Sequence, residues 1–245
     1  MAVCHAMLPD FQLVNAIKSG CTAEFNEAMR SGATIHARDL DGQCLLEVAL
    51  RRGRPDLARR LLSLGADPNE AIGKKGEHLI HLAASAGDIG FLTVLLEAKV
   101  SPDARGNLRR TALHYVTKGG FEFMANMLLE NGANPDAVDA NGDTPLHLAA
   151  KLNSLTMIKL LLRNNADASI TNNQLYTPIH NAAANGNTDA AKLLLDHERA
   201  IKPPRESAEL ARRVLRVAEL HGQHETWSTL AEQLSGPSFT LENGT

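Results

Sequence analysis

Aromatic side chains are scarce in this chain. They make up 4% of its 245 residues, with one Trp, two Tyr and six Phe. The core must therefore be built from Leu, Ala, Ile and Val. Cysteine is scarcer still: Cys4, Cys21 and Cys44 are an odd number at no metal-like spacing. That excludes a disulfide framework and fits a reducing compartment, so a cytoplasmic location is expected. Apolar runs stop at a handful of residues, far short of a membrane span. Met1 to Asp10 lacks a basic stretch followed by an apolar one, so no secretory signal is expected. The net charge of -3 and pI near 6.4 argue against a generic nucleic-acid or anionic-membrane binder. What remains is a globular composition, 44% hydrophobic and 22% charged, with enough chain for one large domain or two small ones.

One segment recurs along the chain. Gly142-Asp143-Thr144-Pro145-Leu146-His147-Leu148-Ala149-Ala150 returns 33 residues later as Tyr176-Thr177-Pro178-Ile179-His180-Asn181-Ala182-Ala183. Earlier copies at the same step are Thr111-Ala112-Leu113-His114 and His78-Leu79-Ile80-His81-Leu82-Ala83-Ala84. A weaker copy, Gly42 to Ala49, lies 34 residues before the last of these, and a degenerate one starts at Phe11. A second landmark keeps the same phase: Leu61-Leu62, Leu95-Leu96, Leu128-Leu129, Leu161-Leu162 and Leu194-Leu195, each 17 residues after the Thr position. Turn signals follow most of these pairs. Such a period marks units that cannot bury their faces alone and must stack.

Local chemistry predicts the shape of each unit. Thr144 can cap a helix that carries Pro145 at its first position, where a missing N–H costs nothing. Leu146, Ala149 and Ala150 share its buried side. A turn follows at Gly20, Gly53, Gly87, Gly120 and Gly186, with Asn153 in the remaining place. The second helix carries the Leu pair.

These motifs resemble the ankyrin repeat family over residues 10 to about 200. The resemblance implies an all-α solenoid of about six stacked helix-turn-helix repeats with hairpin-like fingers. The expected repeats are about 10–38, 39–72, 73–105, 106–138, 139–171 and 172–203. An N-terminal tail, 1–9, precedes them, with Asp10 capping the first helix. A capping helical pair over 204–234 and a flexible tail, 235–245, follow. Arg109 and Leu175 replace the finger glycine, so those two fingers are expected to be distorted. Lys99 replaces the glycine after a second helix. One extra residue is expected near Glu70 to Lys75, and the sixth repeat loses its Gly-Ala turn.

The sequence offers no motif for catalytic or metal chemistry. The periodic histidines, His81, His114, His147 and His180, would stand about 8–10 Å apart in neighbouring units. That exceeds what ligands at about 2.0–2.3 Å from one zinc allow. They are expected to bond backbone groups between repeats, so neither a metal nor a cofactor is expected. Gly73-Lys74-Lys75-Gly76 lacks the spacing and terminal Lys-Ser/Thr of a phosphate loop. Cys44 takes the Thr position at a helix start and reads as a packed or capping thiol rather than a nucleophile. No hydrolase or dinucleotide fingerprint occurs, so the chain is not expected to be an enzyme.

The resemblance implies a protein-interaction module or adaptor that binds a partner protein on one concave surface. Carried onto this sequence, the finger and helix-entry positions are Leu40, Asp41, Gln43, Lys74, Lys75, Glu77, Asn107, Leu108, Arg110, Asn141, Asp143, Asn173, Gln174 and Tyr176. The inner helix ends contribute Arg51, Arg52, Lys118, Lys151, Leu152 and Asn185. This set is basic while the whole chain is acidic, so an acidic or phosphorylated segment is the expected ligand. Tyr176 is the one aromatic among these positions, which disfavours nucleic acid. The free chain is expected to be a monomer that needs no membrane. An effector acting in a host cytosol or nucleus is the alternative setting.

Overall fold

The structure, a computed structural model, describes residues 9–72 and 76–234, and at 233 and 234 the backbone alone. Cys4, Lys74, Lys75, most of the expected N-terminal tail and all of the C-terminal tail lie outside the described residues. The chain divides into two compact units, Met1–Tyr115 with Asn131–Ala133, and Val116–Glu130 with Asn134–Thr245.

In the first unit the helices come in pairs joined by tight turns. They are α1 (Pro9–Ser19) with α2 (Thr22–Arg30), α3 (Leu45–Arg51) with α4 (Pro55–Ser63), and α5 (Leu79–Ala86) with α6 (Ile89–Glu97). The members of each pair pack together, α3 packs on both α1 and α5, and α4 packs on α6. The result is two rows, first helices in one and second helices in the other. Helix α7 (Ala112–Gly119) begins in this unit. Two short antiparallel strands, β1 (Ala71–Ile72) and β2 (Glu77–His78), pair Ala71 with His78 and Ile72 with Glu77.

The second unit repeats the pattern. It contains α8 (Glu122–Glu130), α9 (Pro145–Lys151), α10 (Leu155–Arg163), α11 (Pro178–Ala184), α12 (Thr188–Ile201), α13 (Pro204–Leu220) and α14 (His224–Leu234). α9, α11 and α13 form one row, and α8, α10, α12 and α14 the other. α12 has 14 residues where α8 and α10 have 9, because the chain has no Gly-Ala turn to stop it. α13 starts with Pro204 at its first position.

The reasons for these boundaries are local. Thr144 caps α9 by accepting from the His147 N–H at 3.4 Å, and His147 Nδ1 accepts in return from the Thr144 N–H at 3.2 Å. Asp88 caps α6 by accepting from the Phe91 N–H at 2.9 Å. Asp10 does otherwise than expected. It lies in the first turn of α1, and its Oδ1 accepts from the Thr34 N–H, 24 residues away, at 2.7 Å.

Helix faces bury as the Leu and Ala periodicity dictates. Leu146, Ala149, Ala150, Met157, Ile158 and Leu161 are all fully buried. Each buried large aliphatic side chain contributes roughly 1.5–3 kcal/mol, and the small alanines allow neighbouring helices to approach. The turn residue Asn153 has φ +54°, the left-handed conformation its place demands.

Candidate functional site

Four fingers close with the same pair of backbone bonds. The Asp39 N–H donates to the Gln43 carbonyl, and the Gly42 N–H donates to the Asp39 carbonyl. The sets Gly106–Arg109–Arg110, Asp139–Gly142–Asp143 and Asn172–Leu175–Tyr176 do the same. In three of them the first side chain also holds the loop. Asp39, Asp139 and Asn172 each accept, through Oδ1, from two backbone N–H groups at 2.7–3.1 Å.

Leu175 does not distort its finger, contrary to expectation, whereas the Arg109 finger keeps its closing bonds on an altered backbone. Both keep the closing bonds by adopting positive φ, +62° and +58°. At Leu175 the cost is carried as backbone strain rather than as a changed loop. The Arg109 finger adds a second left-handed residue, Leu108 at φ +54°, within a single 3-10 turn. Lys99, at φ +60°, holds its glycine-like place in the same way.

The Arg109 finger starts with Gly106, which has no side chain to hold the loop. Glu77 takes over that role. Its Oε1 accepts from the Asn107 N–H at 3.3 Å and from the Tyr115 hydroxyl at 2.5 Å. A Cβ at Gly106 would lie 2.6 Å from Glu77 Oε2 and 2.8 Å from His81 Nδ1, so any side chain there would displace the carboxylate. Burial and the Glu77 carboxylate push the Tyr115 phenol well above its ordinary value. Glu77, expected on the open surface, is instead a half-buried brace. The signal was in the sequence: Gly106 stands where the other fingers carry Asp or Asn.

Asp143 is a second correction. It is buried, and its Oδ1 accepts from Asn172 Nδ2 at 2.7 Å. A carboxylate desolvated beside a neighbouring finger holds that finger in place. Asn173 is exposed, yet its Nδ2 donates to the Ala140 carbonyl at 3.1 Å. Tyr176 is half-buried. Its ring stacks on His180 at 5.9 Å, and its hydroxyl lies 3.3 Å from His221 Nε2. That leaves no open aromatic platform among the candidate positions.

Of the candidates within the first unit, Leu40, Asp41, Arg51, Arg52 and Leu108 are exposed, while Gln43, Asn107 and Arg110 are half-buried. Leu40 at its finger tip is 89% exposed. Arg51 is committed, with Nη2 2.9 Å and Nε 3.0 Å from the buried Glu47 Oε1. Arg52 forms no ion pair among the described residues. In the second unit Lys118, Asn141, Lys151, Leu152, Asn173, Gln174 and Asn185 are exposed. Lys118 and Lys151 also lack ion pairs among the described residues.

The histidines are structural. His81 Nε2 lies 2.8 Å from the Ala104 carbonyl and His147 Nε2 lies 2.9 Å from the Tyr176 carbonyl, bonds that tie each first helix to the following finger. His114 and His180 hold Thr111 and Thr177 through Nδ1 at 2.9 and 2.7 Å. Burial lowers the basicity of His81 and His147 against the opposing effect of these carbonyls. His180 falls to about 4, through burial first and then the charges of Arg213 and His147. Cys44 is buried at the start of α3 and makes no side-chain capping bond. Burial pushes its thiol up, away from the thiolate a nucleophile needs. Among the described residues no group of three or more His, Cys, Asp or Glu is placed to hold a metal ion. No helix there is long and apolar enough to cross a membrane.

Similarity to known proteins agrees with this geometry. Family models of ankyrin repeats match residues 46–96, 80–172 and 156–243. The last match runs through α13 and α14. The ARF GTPase-activating protein GIT2 of Mus musculus is 32% identical over 96 residues, covering 39% of this chain and 13% of that protein. The Homo sapiens protein is 32% identical over 96 residues, 12% of its length. The aligned stretch is thus a small part of those curated relatives. The crystal structure of the ankyrin repeat domain of Bcl-3, a unique member of the IkappaB protein family, superposes with a TM-score of 0.69. That similarity is at 27% identity and covers 76% of this chain and 85% of the other. With the 33-residue period, the paired helices and the finger bonds, these matches place the chain in the ankyrin repeat family.

Proposed function

We propose that this chain is a non-catalytic interaction module that binds an acidic or phosphorylated segment of a partner protein. Ankyrin repeats generally mediate protein–protein interaction. The contact surface in this reading comprises the finger tips and the inner ends of the first helices. One observation carries it: the exposed positions there combine apolar tips with uncommitted cations. Leu40 is 89%, Leu108 50% and Leu152 51% exposed, and Arg52, Lys118 and Lys151 form no ion pair among the described residues. Exposed leucines supply the apolar contact that protein partners offer, and open cations steer an acidic segment. Arg51 contributes less, because Glu47 already neutralises it.

The test is crosslinking of the full chain in a lysate, followed by kinetics with the partner so identified. Reversal of Arg52, Lys118 and Lys151 to Glu is expected to slow association, with an effect that shrinks as salt rises. A partner that associates equally fast with the reversed variant at low salt refutes the acidic-segment reading.

A further inference from the structure

A different surface carries a second assignment. Within the second unit, Phe123, Leu160, Lys159, Arg163, Glu122 and Thr156 line a groove of about 470 Å³ between α8 and α10. It is formed by second helices, away from the finger bonds.

The repeat supplies its own controls. Phe123 is the second residue of its helix. The same place holds Asp56 in α4, Gly90 in α6, Thr156 in α10 and Asp189 in α12. Only polar or small residues stand there, except in α8, where a phenyl ring is 65% exposed. No packing demand within the unit accounts for it, and an uncovered aromatic face loses the burial that would stabilise it. Leu160, half-buried, lines the same groove.

The charges beside it point to the occupant. Lys159 and Arg163 are exposed, and neither forms an ion pair among the described residues. They are spaced i,i+4 on one helix face, an unfavourable pairing of like charges unless an anion lies between them. Of the nearby acids only Glu122 lines the groove, so the two cations Lys159 and Arg163 face one carboxylate there. The Glu122 carboxylate accepts from the Thr156 hydroxyl, and Glu130 Oε1 accepts from Asn126 Nδ2 at 2.7 Å.

We propose that this groove is a second docking surface, for an acidic amphipathic protein segment. One apolar side chain of the segment seats against Phe123 and Leu160, and flanking carboxylates meet Lys159 and Arg163. This surface is separate from the finger and inner-helix positions, so the chain could hold two partners, or two parts of one, at once.

A displayed library of random peptides, selected on the immobilised full chain, tests the assignment. The expected winners are net acidic with a Leu, Ile or Phe anchor. Their affinity should drop about tenfold or more with Phe123→Asp, and similarly with Lys159→Glu combined with Arg163→Glu. Phe123→Asp introduces the residue that α4 and α12 already carry, so an unchanged melting temperature is expected, and Phe123→Leu should keep most of the binding. Reversal of Arg52 and Lys151 should leave these peptides bound, which separates this surface from the one proposed above. Selection of basic peptides, peptides indifferent to Phe123, or a dimer that Phe123→Asp dissociates would each overturn the proposal.

Discussion

Three equivalent finger positions, Gly42, Gly142 and Leu175, offer a measurement of backbone strain with internal controls. All three donate to the carbonyl three residues before them, and all have positive φ, at +77°, +77° and +62°. Leu175 has a side chain that is 72% exposed, so it gains little by burial. Holding a non-glycine residue in the left-handed region costs about 1–2 kcal/mol. Leu175→Gly removes that cost but adds about 0.4–1 kcal/mol of unfolded-chain entropy. The net expectation is a stabilisation of roughly 0.5–1 kcal/mol. Gly42→Ala runs the exchange backwards in open space, since nothing lies within 4 Å of its added Cβ. It should destabilise by a similar roughly 0.5–1 kcal/mol. Gly142→Ala adds a collision, because its Cβ would lie 2.7 Å from Asn173 Oδ1 and 2.8 Å from the Asn173 backbone nitrogen. Overpacking of that kind costs a further ~1–3 kcal/mol. Urea unfolding followed by circular dichroism reads all three midpoints, with the slope checked for each variant. A destabilised Leu175→Gly, or equal losses for the two alanine variants, would refute the strain account.

Other expectations follow from the core, the histidines and the C-terminal end. Leu161→Ala, at a fully buried site, should cost about 2–5 kcal/mol, read as a lower urea midpoint. His81, His147 and His180 all have folded-state basicity below the ordinary value, so the unfolded chain binds more protons as acid is added. Stability should therefore be full above about pH 6.5 and decline below it, the His180 contribution being lost down to about pH 4 at up to roughly 1.4 kcal/mol per pH unit. His180→Gln should flatten that slope in a pH series of urea titrations. Truncation after Ile201 removes α13 from α11 and α12, and α14 from α12, exposing the surface those contacts cover. Light scattering should then show aggregation, and a soluble monomer would show that the terminal pair is not a cap.

The sequence by itself determined the period, the helix pairs and their stops. Those depend on local rules: Pro145 at a first position, Thr144 beside His147, and a left-handed residue at each turn. It also marked where the pattern is broken, at Lys99, Arg109, Leu175 and the end of α12. It did not say that the Leu175 departure would be absorbed as strain, because loop closure by two backbone bonds outweighs about 1–2 kcal/mol of unfavourable φ. Charge was the least legible feature. Glu77 and Asp143 have the composition of surface residues, yet both turn inward, Glu77 to Asn107 and Tyr115 and Asp143 to Asn172. Arg51 has a partner one turn away, while Arg52 next to it has none among the described residues. Phe123 is left in the open where α8 packs beside α10. Helix and turn formation is governed within a few residues, so one chain suffices to read it. Burial and ion pairing are decided by which side chain a neighbouring repeat presents, and that partner exists only once the repeats have stacked.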